Sequence, residues 1–159
     1  MTPAQKATLK AYIEADATLN ALPRNGDGYF DMARLLNLEA TPAFTVWKTS
    51  VPVDDIMRNG MDWTRVDNLS VGKSRIWDWM TRLGSINPSK VNVRAGIDAT
   101  WVGTASDLAV RDSVYTHCKR NATVFEKLFA TGTGSVASPA TMVLESPLAY
   151  QELETIFNV

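Results

Sequence analysis

The only histidine and the only cysteine of this chain, His117 and Cys118, are neighbours. A nucleophile–base pair needs two side chains that converge, and adjacent helical residues point about 100° apart. The two cannot work as a pair, and one of each is too few for a zinc site within one chain. Cys118 falls on an apolar stripe and reads as a small core residue, with His117 on the flank. Gly72-Lys73-Ser74 echoes the end of a phosphate-binding loop. That loop requires a glycine five residues before Gly72, where Asp67 stands, and an apolar strand ahead of it, which is missing. Asn25, Asp27 and Gly28 echo a calcium loop. Aligning Gly28 with the loop's turn glycine puts Pro23 and Arg34 at the first and last ligand positions, so the match fails at both ends. A turn that leads into a helix cap fits better.

Asp54, Asp55, Asp62 and Asp67 are the remaining acidic candidates. The first two follow Pro52 in a first helical turn, where negative charge complements the helix dipole without any substrate. Arg111, Lys119, Arg120 and Lys127 spread over several helix faces and read as a solvated or protein-contact surface. Asn68-Leu69-Ser70 and Asn121-Ala122-Thr123 fit the glycosylation pattern but follow no secretory signal. The expectation is a protein with no catalytic, cofactor-binding or metal-binding residue, and not an enzyme.

At 159 residues the chain is long enough to bury a real core. Its 45% hydrophobic and 21% charged residues are ordinary for a globular domain. A net charge of −1 argues against wrapping nucleic acid, which needs concentrated basic surface. A single cysteine requires no oxidising compartment. No run approaches the roughly 18 apolar residues of a membrane span. The opening MTPAQKATLK lacks the apolar core of a secretory signal, so synthesis in the cytoplasm is expected.

The elements are read from caps and periodicity. VGKSRIWDWMTRLG, residues 71–84, places Ile76, Trp79, Met80 and Leu83 along one face with Trp77 widening it, and Gly84 sits where a left-handed cap is usual. This segment reads as the core helix, buried through Trp77 or Trp79 against Tyr115, Cys118, Ala122 or Phe125. Before it, Thr2, Pro3 and Gln5 form a capping-box start. Asp16 caps a short second helix, Asp27 starts a third, and Pro52 opens a fourth that ends before Gly60. After it, residues 91–101 form one helix. Thr104 or Ser106 caps the longest candidate, residues 105–130, about 25 residues and ~38 Å long. Residues 131–140, TGTGSVASPA, are small, uncharged and aperiodic, and read as a flexible arm. Residues 141–145 are strand-like, and Ser146 with Pro147 opens a last helix. The fold class is mostly α: a single-domain helical bundle with one long helix, a flexible arm and at most a small β element. A helical body over residues 1–130 is followed by arm, short strand and terminal helix over 131–159.

Three runs carry a resemblance: PAFTVWKTSV (residues 42–51), MDWTRVDNLSVGKSRIWDWMTRLG (residues 61–84) and KRNATVFEKLFATGTG (residues 119–134). With the opening TPAQKATLKAYI and the closing SPLAYQELETI, they make the chain similar to a family of small tailed-bacteriophage proteins from virion structural modules. Residues 85–117 match that pattern least. The resemblance brings no catalytic motif and implies a virion component made in the host cytoplasm. The resemblance does not fix the place in the particle. Among virion roles, a helical body with one long helix and flexible segments fits a head-to-tail connector, that is an adaptor or head-completion subunit, in a ring beside the portal. Its implied partners are copies of itself and the portal and tail proteins, with packaged DNA near but not read by sequence, and no membrane. A tail-completion or minor capsid protein is the alternative within that class. A cytoplasmic phage-encoded DNA-binding regulator or enzyme is the alternative outside it. The expected subunit contact is the arm: Thr131, Gly132, Gly134, Ser138, Pro139, Thr141, Met142, Val143 and Leu144. Its TMVLE run is too short for a sheet of its own and suits pairing with a neighbour's strand.

Overall fold

Thr2 starts the first helix by accepting a hydrogen bond from the Gln5 N–H, while the Gln5 side chain accepts one from the Thr2 N–H. This and similar local signals set most helix boundaries in the computed structural model, which describes residues 1–158. Ten helices and two two-stranded sheets form among the described residues, so the fold is mostly α. The packing divides the chain into two units: Met1–Phe44 together with the chain from Asn121 onward, and Thr45–Arg120.

The first unit holds α1 (Pro3–Ala15), α2 (Ala17–Asn20), α3 (Gly26–Leu36), α9 (Val124–Phe129) and α10 (Tyr150–Phe157). Asp16 caps α2 through the N–H groups of Thr18 and Leu19. Helix α3 starts one residue earlier than expected, because the Asn25 side chain accepts from the Gly28 N–H. Gly28 is required there, since any Cβ would run into the Pro23 carbonyl. Leu9, Ile13, Met32, Leu36 and Leu153 are fully buried in one apolar cluster, with Tyr29, Phe125 and Leu148 beside them. Helix α10 begins at Tyr150 and not at Pro147. Asn37 holds Leu148 in place on both sides, accepting from its N–H (2.9 Å) and donating to its carbonyl (3.0 Å).

The second unit holds β1 (Thr45–Trp47), β2 (Val51–Pro52), α4 (Val53–Arg58), α5 (Trp63–Asp67), α6 (Val71–Thr81), β3 (Ser85–Ile86), α7 (Val91–Thr100) and α8 (Ala105–His117). Strand β4 (Lys119–Asn121) leaves it and pairs with β1, while β2 and β3 pair antiparallel with Val51 opposite Ile86. Pro52 is the residue before α4, not its first turn. Ser70 caps α6, and Gly84 closes its end with φ +75°. The core gathers Val51, Ile56, Trp77, Ile97, Trp101, Val114 and Cys118.

Two expectations are corrected. The long helix over residues 105–130 does not exist. It stops at Cys118, passes through β4, and restarts at Val124 under a capping box in which Thr123 and Glu126 bond reciprocally. Of the two tryptophans, Trp77 is buried while Trp79 is 69% exposed. Trp77 packs edge-on against Trp101, the cap residue that follows α7, with ring centroids 5.2 Å apart. Cys118 shares that core, whereas Ala122 and Phe125 belong to the other unit.

Candidate functional site

The residues singled out in the sequence do structural work at separate places. Lys73 and Ser74 lie in the first turn of α6, and the Lys73 ammonium donates to the Val102 carbonyl at 2.8 Å. That contact ties the start of α6 to the end of α7. Asp54 pairs with Arg58 one turn along α4. Asp62 caps α5 through the N–H groups of Thr64 and Arg65, and Asp67 is exposed at the end of that helix. His117 places Nε2 2.9 Å from the Asn59 carbonyl. Cys118 is fully buried, and burial pushes its thiol up to about 12, so it is neither ionised nor nucleophilic at neutral pH. Among the described residues, no three His, Cys, Asp or Glu side chains gather to hold a metal ion.

One cluster in the second unit was not legible in the chain. Trp47 of β1 and Tyr115 of α8 stand with ring centroids 5.3 Å apart. The Lys119 ammonium lies over both rings, at 5.3 and 5.6 Å, and the Arg94 guanidinium over Trp47 at 5.0 Å. The aromatic faces draw the cations in, and pairing of β1 with β4 brings Trp47 beside Lys119. Arg94 also donates to the carbonyls of Pro88 and Ser89, which fixes the turn before α7. The Tyr115 hydroxyl lies 2.9 Å from Asp98 Oδ1. Burial, and then the Asp98 carboxylate, raise its pKa above the usual tyrosine range, so the phenol stays protonated. With an un-ionised phenol and cations seated on rings, the cluster is suited to packing and to presenting positive charge.

The segment expected to be the contact arm is a closed loop at its base. Thr131 and Thr141 exchange backbone hydrogen bonds of 2.9 Å each way, and Gly132 packs over Ala140. Gly134 (φ +68°) is buried against the Phe44 ring, where a Cβ has no room. At the tip, the Ser138 N–H donates to Ser135 Oγ and the Ser138 carbonyl accepts from the Thr133 hydroxyl, both at 2.9 Å. Pro139 is half-buried, Met142 is buried and Leu144 packs against the first unit's core. Residues 141–145 form no strand; Thr141 alone makes a bridge. Val136 and Val143 are left exposed.

Compared with known proteins, the chain matches no family model, no curated protein and no solved structure.

Proposed function

We propose that the chain is a structural subunit of a bacteriophage virion, specifically a head-to-tail connector of the adaptor or head-completion kind that assembles with copies of itself in a ring beside the portal. The observation that carries this reading is the three sequence runs over residues 42–51, 61–84 and 119–134. They are similar to virion-module proteins and bring no catalytic motif with them. A ring is built on a heterologous contact, which needs different patches on the two sides of one subunit. The loop of residues 131–145 is the proposed subunit contact through its exposed side chains, Val136 and Val143.

The experiment is gradient sedimentation of a phage lysate, probed for the chain. The subunit is expected to co-sediment with intact particles and with isolated head–tail junctions. Recovery only in the soluble lysate overturns the virion reading, and recovery with particles but not with junctions overturns the connector position. For the loop, Val136→Asp is expected to leave the purified subunit folded and to lower its incorporation into particles. Incorporation at the parent level removes the loop from the contact.

A further inference from the structure

The two units divide the charge unevenly. Thr45–Arg120 carries 11 Lys and Arg against 8 Asp and Glu, a net of +3; the rest of the chain carries 5 against 9, a net of −4. Each unit also leaves a group of large apolar side chains uncovered. In the second unit, α6 and α7 run antiparallel: Lys73 reaches Val102, Trp77 meets Trp101, and the Met80 sulfur lies over Gly96. The end of α6 and the start of α7 therefore lie at the same end of the hairpin. There Trp79, Leu83 and Val91 are 69%, 82% and 72% exposed. Arg75, Arg82 and Lys90 are exposed on or next to the same two helices, with Arg82 paired to the Asp78 carboxylate. This is an apolar knob with net positive charge beside it.

In the first unit, α3 and α10 pack antiparallel and leave a groove of about 500 Å³. It is lined by Phe30, Ala33, Leu38 and Tyr150, with the Phe30 and Tyr150 rings 6.4 Å apart. Phe30 is 58% exposed and Leu38 51%. Asp27 and Asp31 flank Phe30 on α3, and Glu154 follows Tyr150 by one turn on α10. Arg34 also lines the groove and is paired with Asp31. The groove lining is mostly apolar, and on the two helices that bear it the carboxylates Asp27, Asp31 and Glu154 stand against Arg34, a charge balance opposite to that of the knob.

We propose that the α6–α7 knob of one subunit docks in the α3–α10 groove of a second copy of this chain, head to tail. Large apolar side chains exposed at one end of a hairpin mark an interaction site, and opposite charges beside them select the partner and its orientation. A knob and a groove on the same chain make a heterologous contact, which propagates and closes into a ring when the rotation allows. The proposal adds a self-contact to the one proposed for the loop of residues 131–145, and it rests on the connector reading in that both place copies of the chain side by side. It is tested on the purified chain alone, so its failure leaves the sedimentation of particles unaffected.

The test uses two variants whose changed side chains are exposed, Leu83→Asp in the knob and Phe30→Asp in the groove. Folding is checked by circular dichroism and thermal melts. By sedimentation velocity, the parent is expected to show a concentration-dependent rise in mass up to about 100 µM, weakened by salt. Each variant alone is expected to associate at least about tenfold more weakly. Mixed in equal amounts, the two are expected to recover a dimer and nothing larger, because the pair retains one intact knob and one intact groove. A parent that stays monomeric throughout overturns the proposal. So do variants that associate like the parent, and so does a mixture without recovery, the result of a contact between identical patches. If either aspartate variant fails to fold, Leu83→Ser and Phe30→Ser take the same places in the mixing experiment.

Discussion

Asp107 stands in the first turn of α8, where its carboxylate accepts from the Thr104 N–H (3.0 Å) and from Arg65 Nε (3.1 Å). The Thr104 backbone bond, and then the Arg65 guanidinium, lower its pKa from 3.8 to about 2. The folded state thus binds this proton more weakly than the unfolded chain. The contact's contribution to stability is complete above pH 3.8 and is lost as pH falls through about 2. Urea melts across that window are expected to lose stability steadily, and Asp107→Asn is expected to start less stable at pH 7 and to flatten the acid slope. A variant with the parent's slope would mean that other carboxylates control acid unfolding. Cys118 gives a second expectation at this scale. Its buried, un-ionised thiol should react with an aromatic disulfide reagent only as fast as the protein opens, and at once in denaturant. Immediate reaction of the native protein at neutral pH would show the thiol to be accessible.

The tryptophans of α6 separate what an element buries from what it displays. Trp77 is 4% exposed and meets Trp101, so Trp77→Ala is expected to cost about 3–5 kcal/mol through lost transfer energy and a cavity. Trp79→Ala is expected to stay within about 0.5 kcal/mol, as its side chain is mostly in water. Equal costs in chemical denaturation would contradict the packing of α6 on α7. The loop after α9 gives the second test. Gly134→Ala meets a positive φ and the Phe44 ring together, and is expected to cost at least about 1–3 kcal/mol. Ser138→Ala, at the exposed tip and bonded there through its backbone, serves as the control.

At the scale of the molecule, Thr45–Arg120 is one continuous stretch set within a unit made from the two ends of the chain. The ends of its host lie close: the Ala122 N–H donates to the Phe44 carbonyl at 2.8 Å. Such an insertion keeps its own apolar core. Residues 45–120 expressed alone are expected to melt cooperatively by circular dichroism, with Trp77 and Trp101 shielded from a fluorescence quencher. A fragment without a cooperative transition would mean that the inserted stretch depends on its host.

What the sequence determined by itself is the helical class and most helix starts. Thr2 and Asp16 cap as expected and Thr104 does so in preference to Ser106, because a cap joins groups two or three residues apart. The same kind of signal was present at Thr123 and Glu126, a capping box that breaks the supposed long helix, but the apolar spacing of residues 105–130 obscured it. The groups that decide burial and pairing lie far apart in the chain. The spacing of α6 puts Trp79 on its apolar face and Trp77 at the side, and contact with Trp101 after α7 buries Trp77 instead. Strand β1 exists because β4 pairs with it, with more than 70 residues between them. Asn37 delays α10 from a distance of 111 residues. The candidate site follows the same division. The glycines of the 131–145 loop were visible as irregular backbone, but that Gly134 packs against Phe44, some 90 residues away in the chain, was not. A net charge of −1 gave no hint of a basic unit and an acidic one, because a charge sum holds no positions, and only the tertiary structure separates +3 from −4.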